Sequence, residues 1–186
     1  MQMISINEPE SSGLSCVIET RKNAPGGSPP QRDASAESDE RDRATAIKQD
    51  TDGLWIGIRS PSDIVTARQQ GRALAIALGF EGGDTTLIVT VISEVARNIV
   101  DYAKEGEILI KALQQNDRTG VLIVARDAGP GFPDVARAVQ YGCLTRKGLG
   151  MGLPGVRWLV DEFEIVSQVG AGTKVTIKKW KKRLEL

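Results

Sequence analysis

The chain has 186 residues, enough for one domain of ordinary size and an additional segment. Basic and acidic residues number 24 each, so the formal net charge is zero, which argues against a nucleic-acid binder because such proteins usually carry a basic surplus. The absence of histidine excludes a histidine-dependent triad, a histidine-ligated zinc and a phosphohistidine site.

Residues 1–50 are predicted to be a disordered N-terminal extension, with a regulatory or docking role as the alternative. The stretch N-A-P-G-G-S-P-P at 23–30 and the charge-mixed residues after it bury too little apolar surface to offset the entropy of ordering. No signal peptide is visible, and no apolar run approaches the roughly 20 residues of a membrane helix. Cys16 and Cys143 are far apart in the sequence and are taken as free thiols, which a reducing cytoplasm suits. We therefore expect a soluble cytoplasmic protein without a membrane partner.

A folded domain is expected over residues 51–182, beginning with a strand and two helices. Leu54, Ile56 and Ile58 occupy alternate positions, as in a half-buried strand. Ser60 followed by a proline is typical of a helix start, and Gly79 is expected to end this helix. A second helix is predicted over 85–103. Its buried side is expected to carry Leu87, Val91, Ile92, Val95, Ile99 and Tyr102.

Four strands and two short helices are predicted after the second helix. Val121–Val124 is a continuous apolar run, which is typical of a central strand, and Asp127 follows shortly after it. The predicted strands cover 107–113, 120–125, 164–168 and 173–179, and the predicted short helices cover 133–140 and 153–161.

Glu94 and Asn98 are the first candidate site residues. They lie four positions apart on the second predicted helix, so both project from one face. A carboxylate there can act as a base, and an amide oxygen is a hard ligand suited to Mg²⁺, which otherwise keeps waters and phosphate oxygens. The alternative is an exposed polar face without a chemical role.

Asp127 and the two glycines after it form the second candidate. A carboxylate at the end of a buried strand can accept a hydrogen bond from an exocyclic amine such as that of adenine. Gly129 and Gly131 allow the backbone to approach a flat base closely. The alternative is an ordinary turn, because Asp, Gly and Pro favour turns in any case.

A glycine-rich loop at 147–152 (K-G-L-G-M-G) is the third candidate. It fits neither common nucleotide motif, because no strand precedes the G-x-G-x-x-G at 150–155 and no G-K-[ST] is present. Its backbone N–H groups, the cation of Lys147 and the following helix N terminus suit a polyphosphate. The G-A-G-T turn at 170–173 is an ordinary hairpin turn by itself, although the hydroxyl of Thr173 could reach a base from a second direction.

Taken in order, these segments resemble the sequence boxes of the GHKL ATP-binding superfamily. S-E-V-A-R-N (93–98) is similar to its N-box, and D-A-G-P-G (127–131), K-G-L-G-M-G-L (147–153) and G-A-G-T (170–173) are similar to its three glycine boxes. Further phrases, among them A-R-N-I-V-D-Y-A (96–103), resemble the small serine/threonine switch kinases of the RsbT type. The resemblance covers about residues 55–180 and not the N-terminal extension.

The resemblance implies a fold and a set of site residues. The fold is α/β, a two-layer sandwich of a mixed, mostly antiparallel sheet with helices on one face. Glu94 would be the catalytic base, and Asn98 would hold Mg²⁺ at the nucleotide. Asp127 would bind the adenine amine, with Thr173 helping through water. The rest of the ATP site would consist of Gly129, Gly131, Lys147, Gly148, Gly150, Met151 and Gly152.

The resemblance also implies an activity and partners. The chain would be an ATP- and Mg²⁺-dependent protein serine/threonine kinase of a partner-switching stress system. It would phosphorylate STAS-domain antagonists and then activate a metal-dependent phosphatase by binding it. The alternative is a nucleotide-gated binding module, or an anti-sigma factor that sequesters its sigma factor with little transfer. A complete sensor histidine kinase is not expected, because the chain has no histidine.

Overall fold

The computed structural model of the chain describes residues 1–6, 17–19, 53–141 and 152–182. Its strands are β1 (Gln2–Ile6), β2 (Val17–Glu19), β3 (Leu54–Ile58), β4 (Gly106–Gln115), β5 (Arg118–Asp127), β6 (Glu162–Gln168) and β7 (Gly172–Trp180). Its helices are α1 (Pro61–Ala77), α2 (Gly82–Asn98), α3 (Val135–Tyr141) and α4 (Gly152–Leu159), and a π-helical turn (Ile99–Ala103) continues α2. Each strand and helix predicted after residue 53 is present, with ends that differ by a few residues. None of the described helices is both long and apolar enough to cross a membrane.

The strands form one sheet in the order β2-β1-β6-β7-β5-β4-β3. Each pair of neighbouring strands in the described part of the chain is antiparallel. The helices pack against one face of this sheet and share a single core with it. The predicted two-layer sandwich is therefore confirmed, and its described strand pairs are all of the antiparallel kind.

The core lies between the sheet and α2. Val121, Ile123 and Ala125 of β5 point to the same face, because side chains alternate along a strand, and all three are buried. The α2 residues buried with them include Ile88, Val91, Ile92 and Val95. The part of β5 that leads to Asp127 is thus anchored in the core, and the position of Asp127 depends on this packing.

The second helix differs from the predicted single α-helix over 85–103. α2 ends at Asn98, and the five residues Ile99–Ala103 wind as a π turn. Lys104 closes the turn with a positive φ of 73° and a hydrogen bond from its N–H to the Ile99 carbonyl (2.8 Å). The wider winding moves Tyr102 off the buried stripe, so the prediction of a buried Tyr102 was wrong and the residue is 39% exposed. Such turns are frequent at functional sites.

The N-terminal segment contributes two strands that the sequence did not lead us to expect. β1 pairs with β6, and β2 pairs with β1 at the edge of the sheet. Ile4 is buried in the shared core, with 4% of its surface exposed. The structure therefore differs from the predicted disordered extension at 2–6 and 17–19, because short apolar segments there find strand partners. Residues 7–16 and 20–52 lie outside the described part of the chain.

Candidate functional site

A cavity of about 200 Å³ opens between α2, the π turn and the adjoining ends of β5 and β7. Its polar side chains are Asn98, Asp127 and Thr173, with the Tyr102 ring at the edge. The segment 130–133 forms one wall. The apolar part of the lining includes Val95, Ile99, Ala125, Leu153 and Val175. An apolar cavity with a few convergent polar groups suits a flat ligand that carries hydrogen-bonding atoms on one edge.

Three polar side chains stand in one row across neighbouring strands. Asp127 of β5 lies opposite Thr173 of β7, and Thr173 lies opposite Ser167 of β6. The next row into the core is apolar and consists of Ala125, Val175 and Ile165. Because directly paired residues point to the same face, the row marks the boundary between the core and the polar part of the cavity.

Asp127 is half-buried, and desolvation raises the pKa of its carboxyl group above the ordinary value. Backbone N–H groups of Gly129 (2.8 Å) and Thr173 donate to the carboxylate and oppose that shift. Hydrogen-bond donors stabilise a carboxylate that has lost part of its hydration, whereas acceptors repel it. The carboxylate therefore favours a ligand that brings a donor.

Gly131 lets the first glycine box (127–131) pack closely against the β6–β7 hairpin. Its φ is 68°, and a Cβ at this position would overlap the carbonyl oxygen of Gln168. The N–H of Gly170 donates to the carbonyl of Pro130 in the same segment (2.9 Å). Gly129 does not line the cavity but packs against the π turn, where its added Cβ would lie 2.6 Å from the Cβ of Ala103. Gly129 therefore positions Asp127, while Gly131 belongs to the wall.

Asn98 and Glu94 point to different places. Asn98 lines the cavity, and its amide makes no hydrogen bond to another residue in the described ranges. Glu94 is buried, with 7% of its surface exposed, so the alternative of an exposed polar face was wrong for it. Its carboxylate accepts a hydrogen bond from the N–H of Gly152 (3.0 Å) and forms an ion pair with Arg97 (3.4 Å). Glu94 thus joins α2 to the first residue of α4.

Ser167 and Gln2 contact the site, although the sequence did not single them out. Ser167 is 2% exposed, and its hydroxyl accepts a hydrogen bond from the N–H of Phe132 (2.9 Å). Gln2 of β1 accepts from the N–H of Val135 (2.8 Å) and donates to the carbonyl of Pro133 (3.0 Å). A hydroxyl in the inward phase of the strand F-E-I-V-S could have indicated Ser167, whereas nothing near Gln2 indicated its partner more than 100 residues away.

Part of the predicted phosphate loop lies outside the described residues. Lys147, Gly148, Gly150 and Met151 are in this part, so their predicted role stays a prediction. Gly152 is described, begins α4 and donates to Glu94.

Comparisons with known proteins show the family to which this chain is similar. The family model for histidine kinase-, DNA gyrase B-, and HSP90-like ATPases matches residues 83–183. The serine/threonine-protein kinase RsbT of Bacillus subtilis is 46% identical over 129 residues, which are 69% of this chain and 97% of RsbT. An anti-sigma F factor of Caldanaerobacter subterraneus is 32% identical over 99 residues, which are 50% of this chain and 68% of that protein. A solved structure of the RsbU and RsbW domains of a Mycobacterium tuberculosis protein covers 98% of this chain and 65% of that one, with 17% identity and a TM-score of 0.48.

Proposed function

This chain belongs to the histidine kinase-, DNA gyrase B-, and HSP90-like ATPases and, among them, to the RsbT-type serine/threonine-protein kinases, and on this premise we propose that it binds ATP beside Asp127. The terminal phosphoryl group then passes to a serine or threonine hydroxyl of a partner protein. The observation that carries the proposal is the half-buried carboxylate of Asp127, which faces an apolar cavity in one row with Thr173.

The cavity supports adenine rather than guanine. The exocyclic amine of adenine donates to Asp127, and the flat ring covers the apolar surface of Ile99 and Val175. Guanine carries a carbonyl at the same ring position, so it would set an acceptor against a carboxylate. A mismatch of this kind in a buried site typically costs about 1–3 kcal/mol, and more when one group is charged.

Mg²⁺ fits the site only together with the nucleotide. Asn98 offers one amide oxygen beside the cavity, and the described residues contain no group of three Asp, Glu, His or Cys side chains that could hold a metal. Mg²⁺ commonly takes one or two protein oxygens and completes its shell with phosphate oxygens and water. Asn98 would hold the ion, whose charge would offset that of the phosphates.

Glu94 is the proposed base for the partner's hydroxyl. Its carboxylate lies one helical turn before Asn98 and accepts a hydrogen bond from Gly152 at the end of the predicted phosphate loop, which supports a place near the phosphates. It must exchange its contacts with Gly152 and Arg97 for the substrate hydroxyl before it can accept a proton. Positioning and charge stabilisation would supply most of the acceleration.

The proposal extends to the partner proteins of this kinase and to its location in the cell. We propose a STAS-domain antagonist as the phosphorylated protein and a metal-dependent phosphatase as the partner that released kinase binds, both in the cytoplasm. A nucleotide-gated binding module is the second candidate function. The observation that favours it is the engagement of Glu94 with Gly152 and Arg97, which gives each oxygen of the proposed base a partner within the chain.

A transfer assay tests the proposal. ATP labelled in the γ-phosphate is incubated with the protein, Mg²⁺ and a purified STAS-domain protein, and labelled protein is measured. Asp127→Asn is the matched control, because it removes the charge that receives the amine and keeps the size of the side chain. We expect label on a serine or threonine of the partner with the parent and a strongly reduced yield with the variant. Equal yields would contradict the assignment of Asp127, and ATP-dependent binding of the partner without transfer would favour the binding module.

A further inference from the structure

Ser167 lies behind the cavity, between the first glycine box and the β6–β7 hairpin. Its hydroxyl oxygen is 2.9 Å from the N–H of Phe132, 3.0 Å from the carbonyl oxygen of Gly172 and 3.0 Å from the hydroxyl oxygen of Thr173. The residue is buried, so water does not compete for these contacts. The three neighbours differ in chemistry, because an N–H only donates, a carbonyl only accepts, and a hydroxyl can do either.

Counting protons fixes the direction of each hydrogen bond. The contact between Ser167 and Gly172 is favourable only when the serine proton points at the carbonyl, since otherwise two acceptor oxygens would face each other at 3.0 Å. Ser167 then has no proton left for Thr173. The contact between the two hydroxyls must therefore use the proton of Thr173.

We infer that Ser167 is a positioning residue that makes the hydroxyl of Thr173 an acceptor towards the cavity and thereby sets the preference for adenine. This inference rests on the proposed function, since it concerns recognition of the base of ATP. With the proton of Thr173 directed at Ser167, the cavity edge presents only lone pairs from Asp127 and Thr173. A purine must bring donors to this edge, which the amine of adenine does directly and through a bridging water.

Loss of the Ser167 hydroxyl would remove this restriction. The proton of Thr173 would be free to rotate into the cavity and to donate to a ligand carbonyl. ITP is the suitable probe, because it carries a carbonyl where ATP has its amine and the same ribose and phosphates. Ser167→Ala should therefore lower the preference for ATP over ITP by about five- to tenfold, the size expected for one neutral hydrogen bond.

The experiment is a calorimetric titration of ATP and of ITP into the parent protein, Ser167→Ala, Thr173→Val and the double variant. Ser167→Ala should change the ratio of the two affinities in the parent background and leave it unchanged in the Thr173→Val background. Inorganic tripolyphosphate, which has no base, should bind the parent and Ser167→Ala equally. Thr85→Val is the matched control, because Thr85 is also buried and donates to a backbone carbonyl, that of Phe80 (3.3 Å), but does not line the cavity.

The outcomes separate the inference from the proposed function. Ser167→Ala could weaken the binding of ATP and of ITP by the same factor, or it could change the ratio of the two affinities equally with and without the Thr173 hydroxyl. Either result would leave Ser167 with only a structural role, and the inference would be wrong. A parent protein that preferred ATP and lost this preference in Asp127→Asn would still support the proposed function. A parent that bound neither nucleotide would contradict the proposed function itself.

Discussion

At Asp127, burial and hydrogen bonding act on one carboxylate in opposite directions, and burial is the larger effect. The pKa of the folded state is therefore above that of the unfolded chain. Stability from such a group is present at low pH and is lost as the pH rises through the folded-state pKa. The ionised carboxylate thus destabilises the ligand-free protein at neutral pH, and a bound donor relieves this penalty.

The first prediction follows from the sign of this shift. As the pH falls through the raised pKa of Asp127, the folded protein gains stability from this group, while ATP affinity falls because a protonated carboxyl is a poorer acceptor for the amine. Both trends should be weaker in Asp127→Asn, which cannot titrate at this position. Thermal melting and ATP titration over a pH series measure the two trends. If parent and variant lost ATP affinity in parallel on acidification, another group would be responsible.

Gly131 allows a second prediction with an internal control. Gly131 and Gly170 both have positive φ, of 68° and 74°, but only at Gly131 does an added Cβ meet backbone. Gly170→Ala should cost about 1–2 kcal/mol of unfolding free energy, from the left-handed backbone alone. Gly131→Ala should cost more unfolding free energy and also weaken ATP binding, because the cavity wall at 130–133 has to move away from Gln168. Chemical denaturation and ATP titration of both variants decide this, and equal losses would show that the contact with Gln168 is relieved at no cost.

At the scale of elements, β1 connects the N-terminal segment to the wall of the cavity beside Asp127. It pairs with β6, which carries Ser167, and Gln2 lies directly opposite Ser167 in the register. Ser167 and Gln2 therefore bind the backbone of one wall at neighbouring positions, through Phe132 and through Pro133 and Val135. The row of polar side chains thus runs across four strands, from Asp127 to Gln2.

The third prediction is that this segment cannot be removed without loss. Deletion of residues 1–6 should lower the melting temperature, because Ile4 alone buries a side chain worth about 1.5–3 kcal/mol. Gln2→Ala keeps the strand but leaves the Val135 N–H and the Pro133 carbonyl without these partners. It should therefore weaken ATP binding and lower the melting temperature less than the deletion does. Ser5→Ala on the exposed side of the same strand is the control. Unchanged ATP affinity in Gln2→Ala would confine β1 to a role in sheet stability.

The sequence predicted local elements better than the contacts between them. Periodicity located the helices and the strand that ends at Asp127, since these signals lie within one segment. The π turn was missed, because the apolar stripe continues through Ile99 and does not reveal a change of winding. The roles of Ser167 and Gln2 were missed because strand register joins distant parts of the chain, and register cannot be derived from one strand alone.

On the scale of the whole molecule, Glu94 connects α2 to the part of the chain that begins with α4. It lies on α2, whose far side packs in the core, and it holds the first N–H of α4, the helix that precedes β6 and β7. The proposed ATP cavity is lined by residues of both α2 and α4. A change at Glu94 can therefore reduce catalysis in two ways, through loss of the base or through loss of the contact between α2 and α4.

The fourth prediction separates them with a pair of variants. Glu94→Gln removes the base but keeps an amide oxygen that can accept the hydrogen bond from Gly152, so transfer should fall by about 10²–10⁴ while ATP and partner binding change little. Arg97→Gln removes the ion pair and keeps the carboxylate, and since Arg97 is half exposed this pair is worth about 0–1 kcal/mol. Single-turnover transfer, partner titration and thermal melting are measured for both. Parental transfer by Glu94→Gln would rule out Glu94 as the base, whereas a similar loss in Arg97→Gln would assign the effect to the lost ion pair with Glu94.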